Sequence, residues 1–164
     1  MPLGRGLRLF GHPVHPMLVH LPMGLLITAP LWDLLSFARP GGAAVWAAVG
    51  NWTVAVGCLG GLAAAVAGMV DFAALPSGHP AGRAANIHLY LIVSALALYG
   101  TSALLRHGHR AAGVTPAVFG LDLAGFFLLA AGGYFGAEMV YRHGVGQEPA
   151  ATPPAGPGYD QKGP

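Results

Sequence analysis

Two histidines and two carboxylates lie close to the ends of long apolar segments in this chain. They are His20, Asp71, His88 and Glu138. Imidazole binds haem iron, zinc, copper or non-haem iron, and a carboxylate either binds the metal or fixes the tautomer of a histidine that does. Ionisable groups within a membrane segment are costly and are functional by default. These four residues therefore predict a ligand-binding site, provided that the fold brings them together.

Two kinds of site fit these residue types. In the first, His20 and His88 ligate a haem b from its two sides, and Arg83 and Arg142 pair with its propionates. In the second, histidines and carboxylates hold a transition metal. The candidate metal ligands are His12, His15, His20, Asp71, His88, Glu138 and His143.

A third interpretation of the same residues needs no ligand. Arg142 and Arg83 then neutralise Asp71 and Glu138 at the membrane edge and close the bundle. The outer histidines near them are in that case interfacial residues that bind nothing. Residue types and spacing leave all three interpretations open.

The composition excludes the common classes of soluble protein. Of the 164 residues, 54% are hydrophobic and only 9% are charged, and the mean hydropathy is +0.58. A soluble domain of this size needs more polar residues to cover its surface. A net charge of +2 without a basic run excludes a nucleic-acid binder. The single cysteine, Cys58, excludes an intramolecular disulfide and a cysteine-built zinc or iron–sulfur site.

Long runs without Asp, Glu, Lys or Arg define the elements that position the candidate residues. Residues 9–32, 40–70 and 84–105 are free of these four types, and a fourth apolar segment contains only Asp122 and Glu138. Each segment can cross a hydrocarbon core of about 30 Å, where the backbone must be helical. We therefore predict an all-α fold, an integral membrane four-helix bundle with short loops. The predicted helices cover about 16–38, 44–75, 83–105 and 116–142, with an extramembrane segment at 1–15 and a disordered Pro/Gly-rich tail at 144–164.

The alternating direction of the helices sets the depth of each ionisable residue. His20 and His88 follow the starts of the first and third helices, and Asp71 and Glu138 precede the ends of the second and fourth. All four are therefore expected in one layer near one membrane face. Four arginines lie on that side against three on the other. The positive-inside rule then favours cytoplasmic termini in a bacterial cytoplasmic membrane.

The opposite face carries a second pair of carboxylates, Asp33 and Asp122, expected to pair with Arg39 or Arg106. Two acids without a histidine make a weaker case for a metal site, although a proton path between the faces stays open. No inverted repeat of the transporter type is evident, so transport is the weaker interpretation.

Small residues recur at four-residue spacing in the second and fourth predicted helices, as in Gly57/Gly61 and Gly132/Gly136. Such faces let helices approach closely in lipid. We interpret them as packing surfaces within the bundle. A homo-oligomer is a separate possibility that the sequence leaves open. Alternatively, Gly68 and Gly136 leave room for a flat cofactor.

Two motifs carry a resemblance to a known family: HPVHPMLVHLP at residues 12–22 and GAEMVYRHGVG at residues 136–146. They resemble an uncharacterised bacterial family of small four-helix membrane proteins, a domain of unknown function. The segment at Asp71-Phe72 and the G-R-A-x-x-x-H element ending at His88 share the resemblance, which covers residues 11–146. Some members are fused to a Rieske-type iron–sulfur domain, which implies a place near electron transfer or a quinone pool. Because this chain has no cysteine pair, its iron–sulfur partner is expected to be a separate protein.

These observations lead to one functional prediction and one alternative. The prediction is a polytopic bacterial membrane protein that binds haem b or a metal through the histidine and carboxylate layer, for electron transfer. The alternative is an accessory structural subunit of a larger, respiratory-type membrane complex, without a cofactor of its own. In either case the expected partners are the lipid bilayer and an iron–sulfur protein, a quinone or a larger membrane complex. Hydrolytic catalysis is disfavoured, since no pattern of an activated nucleophile stands out.

Overall fold

The computed structural model describes residues 6–108 and 114–147. Most of the tail that the sequence predicts to be disordered, residues 148–164, lies outside the described residues. Four helices confirm the predicted all-α membrane fold, and their ends lie within three residues of the predicted ones. The elements are β1 (Arg8–Leu9), β2 (His12–Pro13), α1 (Val14–Ala38), a short 3-10 turn (Pro40–Gly42), α2 (Ala43–Ala73), α3 (Gly82–Gly108) and α4 (Pro116–His143).

Local sequence explains where the helices begin and end. β1 and β2 pair antiparallel across a turn at Phe10 and Gly11, whose φ angles are 49° and 83°. The Thr115 hydroxyl accepts a hydrogen bond from Val118 N at the start of α4, where Pro116 lacks an N–H to satisfy. Gly144 ends α4 with φ 65°, the left-handed conformation that glycine adopts without strain.

The outside of the bundle is apolar on every helix. Leu34, Leu59, Leu104 and Phe127, one from each helix, are all more than half exposed. All four helices are long and apolar enough to cross a membrane. A large apolar surface of this kind is costly in water and suits a lipid environment. The small core of the bundle is centred on Leu26, Ala29, Val54, Ala95, Tyr99 and Leu129.

The helices pack as two hairpins, α1 with α2 and α3 with α4, and the second hairpin repeats contacts of the first. Leu26 packs over Gly57 and Tyr99 packs over Gly125. Leu26 and Tyr99 are 73 residues apart, and the same interval separates Asp33 from Arg106. Because α1 and α3 run in the same direction, this repeat is parallel and not inverted. It places residues at equivalent positions of α1 and α3 opposite one another.

A hydrogen bond between the hairpins compensates for a proline in α1. Pro30 has no N–H, so it cannot donate to the carbonyl of Leu26 one turn earlier. The hydroxyl of Tyr99 donates to that carbonyl instead, at 2.8 Å, and the Tyr99 side chain is fully buried. Since an unpaired carbonyl in a membrane is costly, this bond stabilises the contact between α1 and α3.

Candidate functional site

Two histidines from different hairpins meet inside one end of the bundle. His15 lies in the first turn of α1, and His88 lies two turns into α3. Their ring centroids are 6.4 Å apart, and the ring planes form an angle of 85°. We call these two residues the histidine pair. The end of the bundle that contains them, together with β1, β2 and the α2–α3 loop, is the histidine end.

Each imidazole of the histidine pair is anchored to a backbone carbonyl of its own hairpin. His15 Nδ1 lies 2.8 Å from the Ala64 carbonyl oxygen of α2, and His88 Nδ1 lies 2.8 Å from the Gly132 carbonyl oxygen of α4. A carbonyl only accepts hydrogen bonds, so Nδ1 must carry the hydrogen and donate it. Nε2 is then the ring nitrogen with a lone pair for a ligand. This tautomer is the one by which histidines bind metals when a second group orients the ring.

Two glycines make room for the histidine pair. A Cβ atom at Gly68 would lie 2.9 Å from His15 Nδ1, and one at Gly136 would lie 3.3 Å from His88 Nδ1. The sequence suggested that Gly68 and Gly136 leave space for a flat cofactor. In the structure the flat groups in that space are the two imidazole rings.

The structure brings His15, and not His20, to His88. His20 is exposed, and its Nδ1 lies 3.5 Å from the carbonyl of Met17 in its own helix. The two α1 histidines are five positions apart, which places them on different faces at 3.6 residues per turn. His15 precedes the buried Pro22 by seven residues and the buried Leu26 by eleven, so it continues the inward stripe of α1. That spacing is the sequence signal that identifies His15.

The two carboxylates of the predicted layer have other partners. Asp71 Oδ1 accepts a hydrogen bond of 2.8 Å from Leu7 N, which ties the segment before β1 to the end of α2. Glu138 Oε1 pairs with Arg142 Nη1 at 3.2 Å, one turn along α4, and Arg142 is largely exposed. Among the described residues, no group of three or more His, Cys, Asp or Glu is placed to hold a metal ion. The predicted seven-ligand set therefore does not assemble in one place.

His79 and the remaining candidates, His12, Arg83 and His143, lie at the histidine end. His79 Nδ1 accepts a hydrogen bond of 3.1 Å from Ala81 N just before α3. His12 is exposed in β2, Arg83 is exposed in the first turn of α3, and His143 is half-buried in the last turn of α4. Arg83 and Arg142 are thus surface cations at the same end as the histidine pair.

At the other end of the bundle, Asp33, Arg106 and Asp122 form a buried ion cluster. Asp33 and Asp122 are 0% exposed, and Arg106 is 6% exposed. Arg106 Nη2 lies 2.7 and 2.6 Å from the two carboxylate oxygens of Asp33 and 2.5 Å from Asp122 Oδ2. Of the two cations that the sequence offered, Arg106 is therefore the partner of both acids. We call these three residues the arginine cluster, and this end of the bundle the arginine end.

All four helices contribute to the arginine cluster. Asp33 comes from α1, Arg106 from α3 and Asp122 from α4, and α2 contributes the backbone at Gly50. A Cβ at Gly50 would lie 3.2 Å from both Arg106 Nη1 and Asp33 Oδ1, so a glycine here lets the guanidinium approach α2. The hydroxyl of Ser102 accepts a hydrogen bond of 3.2 Å from Arg106 Nε.

An apolar core separates the two polar ends. Asp33 follows His15 by eighteen residues of α1, which corresponds to roughly 27 Å at 1.5 Å per residue. The buried residues between them are largely apolar, as at Leu26, Val54 and Leu129. The two ends are therefore separate sites in this structure. The proton path that the sequence left open is not evident among the described residues.

Comparison with known proteins identifies the family. No curated protein and no solved structure matches the chain. One family model, described as "Predicted membrane protein (DUF2231)", matches residues 11–149 and so covers most of the chain. This match confirms the resemblance to an uncharacterised family of membrane proteins. The chain belongs to the DUF2231 family of predicted membrane proteins.

Proposed function

We propose that this membrane protein binds one haem b between His15 and His88 and uses it for electron transfer. The observation that carries the proposal is the histidine pair: two imidazoles from opposite hairpins, 6.4 Å apart, each with its Nδ1 hydrogen committed to a carbonyl. This replaces His20 with His15 in the ligand pair that the sequence suggested.

The separation of the rings fits two imidazoles on opposite sides of one metal ion. A metal–nitrogen bond is about 2.0–2.1 Å, so two such bonds plus the radii of the two rings place the centroids roughly 6–6.5 Å apart. The centroids of His15 and His88 are 6.4 Å apart. The angle between the ring planes does not oppose this geometry, since each ring can rotate about its bond to the metal.

The number of protein ligands favours haem over a bare metal ion. Structural zinc takes four protein ligands and catalytic zinc usually three, but the described residues offer no such group. A porphyrin would supply four nitrogens itself, so His15 and His88 would be enough to hold its iron. Arg83 and Arg142, exposed at the same end, are suitable partners for propionates.

The hydrogen bonds of the histidine end allow a flat group to enter between the hairpins. His15 is bonded to α2 within the first hairpin, and His88 is bonded to α4 within the second. Parting the hairpins at this end therefore breaks neither bond. Haem, when bound, would supply one-electron redox chemistry, and His15 and His88 would hold it between the hairpins. A quinone or an iron–sulfur protein stays the predicted electron partner.

The test is the haem content of purified protein. The protein is expressed with a haem precursor, purified in detergent, and assayed by its Soret band and by the pyridine haemochrome reaction. We expect about one haem per chain in the wild type and a loss of at least tenfold in His15→Ala and in His88→Ala. His20→Ala is the matched control, because His20 lies on the same helix but is exposed. It should retain the wild-type haem content.

Two outcomes would overturn the proposal. One is a colourless wild-type protein despite haem supply; elemental analysis of that sample then shows whether a bare metal is bound instead. The other is a loss of haem in His20→Ala with full retention in His15→Ala. That result would show that the ligand pair is the one first inferred from the sequence.

A further inference from the structure

The arginine cluster contains more negative than positive charge. Two carboxylates, Asp33 and Asp122, pair with one guanidinium, that of Arg106. Fully ionised, the three side chains have a net charge of −1, and all three are buried in helices that cross the membrane. An uncompensated charge in such surroundings is strongly destabilising.

The hydrogen bonds between Arg106 and the two carboxylates all converge on one nitrogen, Nη2. Arg106 Nη2 carries two hydrogens but lies within 2.7 Å of three carboxylate oxygens. Among the described residues, Arg106 Nη1 and Asp122 Oδ1 are buried without a hydrogen-bond partner. Three oxygens therefore share the two hydrogens of Nη2, whereas the hydrogens of Nη1 have no acceptor. The Ser102 side chain also forms a hydrogen bond with Asp122.

The groups that the structure places in contact with the cluster, apart from Arg106 itself, carry no positive charge. From α2 the cluster meets the backbone at Gly50, and from α3 it meets Ser102. Two further titratable groups interact electrostatically with Asp122: Tyr99 of α3 and Cys58 of α2. A phenol and a thiol are either neutral or negative, so neither can balance the excess negative charge.

We propose that the arginine cluster is a proton-binding site, in which Asp122 holds one proton and Asp33 stays ionised beside Arg106. Two carboxylates that share a site ionise one at a time, because their charges repel. Asp33 presents both oxygens to Arg106, whereas Asp122 presents one and leaves the other unpaired. Asp122 is therefore the acid that carries the proton, which makes the cluster neutral.

The position of the cluster determines where this proton is exchanged. Arg106 lies two residues before the end of α3, and the apolar core separates the cluster from the histidine end. The site therefore takes up and releases its proton at the arginine end of the bundle. This inference is independent of haem binding, because it concerns different residues at the opposite end.

Infrared spectroscopy tests the proposal directly, because a protonated carboxyl group has a carbonyl stretch that ionised carboxylates lack and that shifts in heavy water. We expect the wild-type protein in lipid at neutral pH to show one such group per chain. Asp122→Asn and Asp33→Asn should each abolish the signal, since either change leaves one carboxylate for one guanidinium. Asp71→Asn is the matched control and should keep the full signal, because Asp71 lies at the other end beside Leu7.

Several results would overturn the proposal. They are a wild type without a protonated carboxyl, a signal that survives in Asp122→Asn or in Asp33→Asn, and a signal that disappears in Asp71→Asn. Helicity and thermal unfolding show that each variant is folded; if one asparagine variant does not fold, the other still decides. Thermal stability that depends on sodium, without a protonated carboxyl, would show that the cluster holds a cation in place of the proton.

Discussion

The two polar ends of the bundle differ in what their hydrogen bonds connect. At the histidine end, each imidazole is bonded to a carbonyl of its own hairpin. At the arginine end, Arg106 of the second hairpin is bonded directly to Asp33 of the first. The arginine cluster therefore links the two hairpins by a buried ion pair. At the histidine end, neither histidine–carbonyl bond connects one hairpin to the other.

The ends also differ in what a deletion leaves behind. Ala64 and Gly132 lie within α2 and α4, so their carbonyls already take part in helical hydrogen bonding. Removing an imidazole leaves these carbonyls paired. Removing Arg106 leaves the buried Asp33 without its counter-charge and both acids without their hydrogen-bond donor. The stability of the fold should therefore depend far more on the arginine cluster than on the histidine pair.

The largest expected effect is that of Arg106→Gln. Breaking a buried ion pair by removing one partner typically costs about 3–5 kcal/mol of stability. We expect a loss of this size in the free energy of unfolding in detergent, or a failure to assemble. Arg39→Gln at the same end is the control, because Arg39 is exposed. Equal stability of the two variants would contradict the role of Arg106 in linking the two hairpins.

An intermediate effect is expected for Tyr99→Phe, which removes the hydroxyl that satisfies the Leu26 carbonyl. Side-chain hydrogen bonds within membranes contribute about 0.6 kcal/mol on average and up to about 1.7 kcal/mol. We expect a loss near the upper figure, because the carbonyl is left unpaired. In Pro30→Ala the residue at position 30 donates to Leu26 itself, so Tyr99→Phe should cost less in that background. A full loss in both backgrounds would refute this compensation.

The smallest effect is expected for His15→Ala in protein without cofactor. The lost hydrogen bond leaves no unpaired carbonyl, so the free energy of unfolding should fall by no more than about 1 kcal/mol. Thermal unfolding of haem-free protein measures this, with His20→Ala as the control. A loss as large as that of Arg106→Gln would remove the distinction between the two ends.

For the histidine end, the sequence predicted the membrane depth of the ionisable residues correctly but not which side chains meet. It placed His88 and a histidine of α1 near the same membrane face, because depth follows from residue number and helical rise. It selected His20 where the structure brings in His15, because α1 begins at Val14 and the rotation of a helix depends on its packing. It also expected Asp71 and Glu138 beside the histidines, whereas Asp71 binds Leu7 N and Glu138 binds Arg142.

At the arginine end, the sequence identified the two acids of the cluster but did not decide which of two arginines pairs with them. Asp33 and Asp122 were expected near one face, with Arg39 or Arg106 as partner. The choice of Arg106 depends on the parallel repeat, which places it opposite Asp33 across the bundle. The same interval of 73 residues relates His15 to His88, but the repeat is weak in the sequence because other equivalent positions hold Asp and Arg or Leu and Tyr.

The amino-acid sequence by itself determined that this protein is a four-helix membrane protein, since length, hydropathy and missing charges are local properties of each segment. It also determined the depth of each ionisable residue. Only the tertiary structure decided which of these side chains face each other. Helix rotation and the pairing of the two hairpins are set by contacts between distant residues, such as Leu26 on Gly57 and Tyr99 on Gly125. Those contacts place His15 beside His88 and Arg106 between two carboxylates.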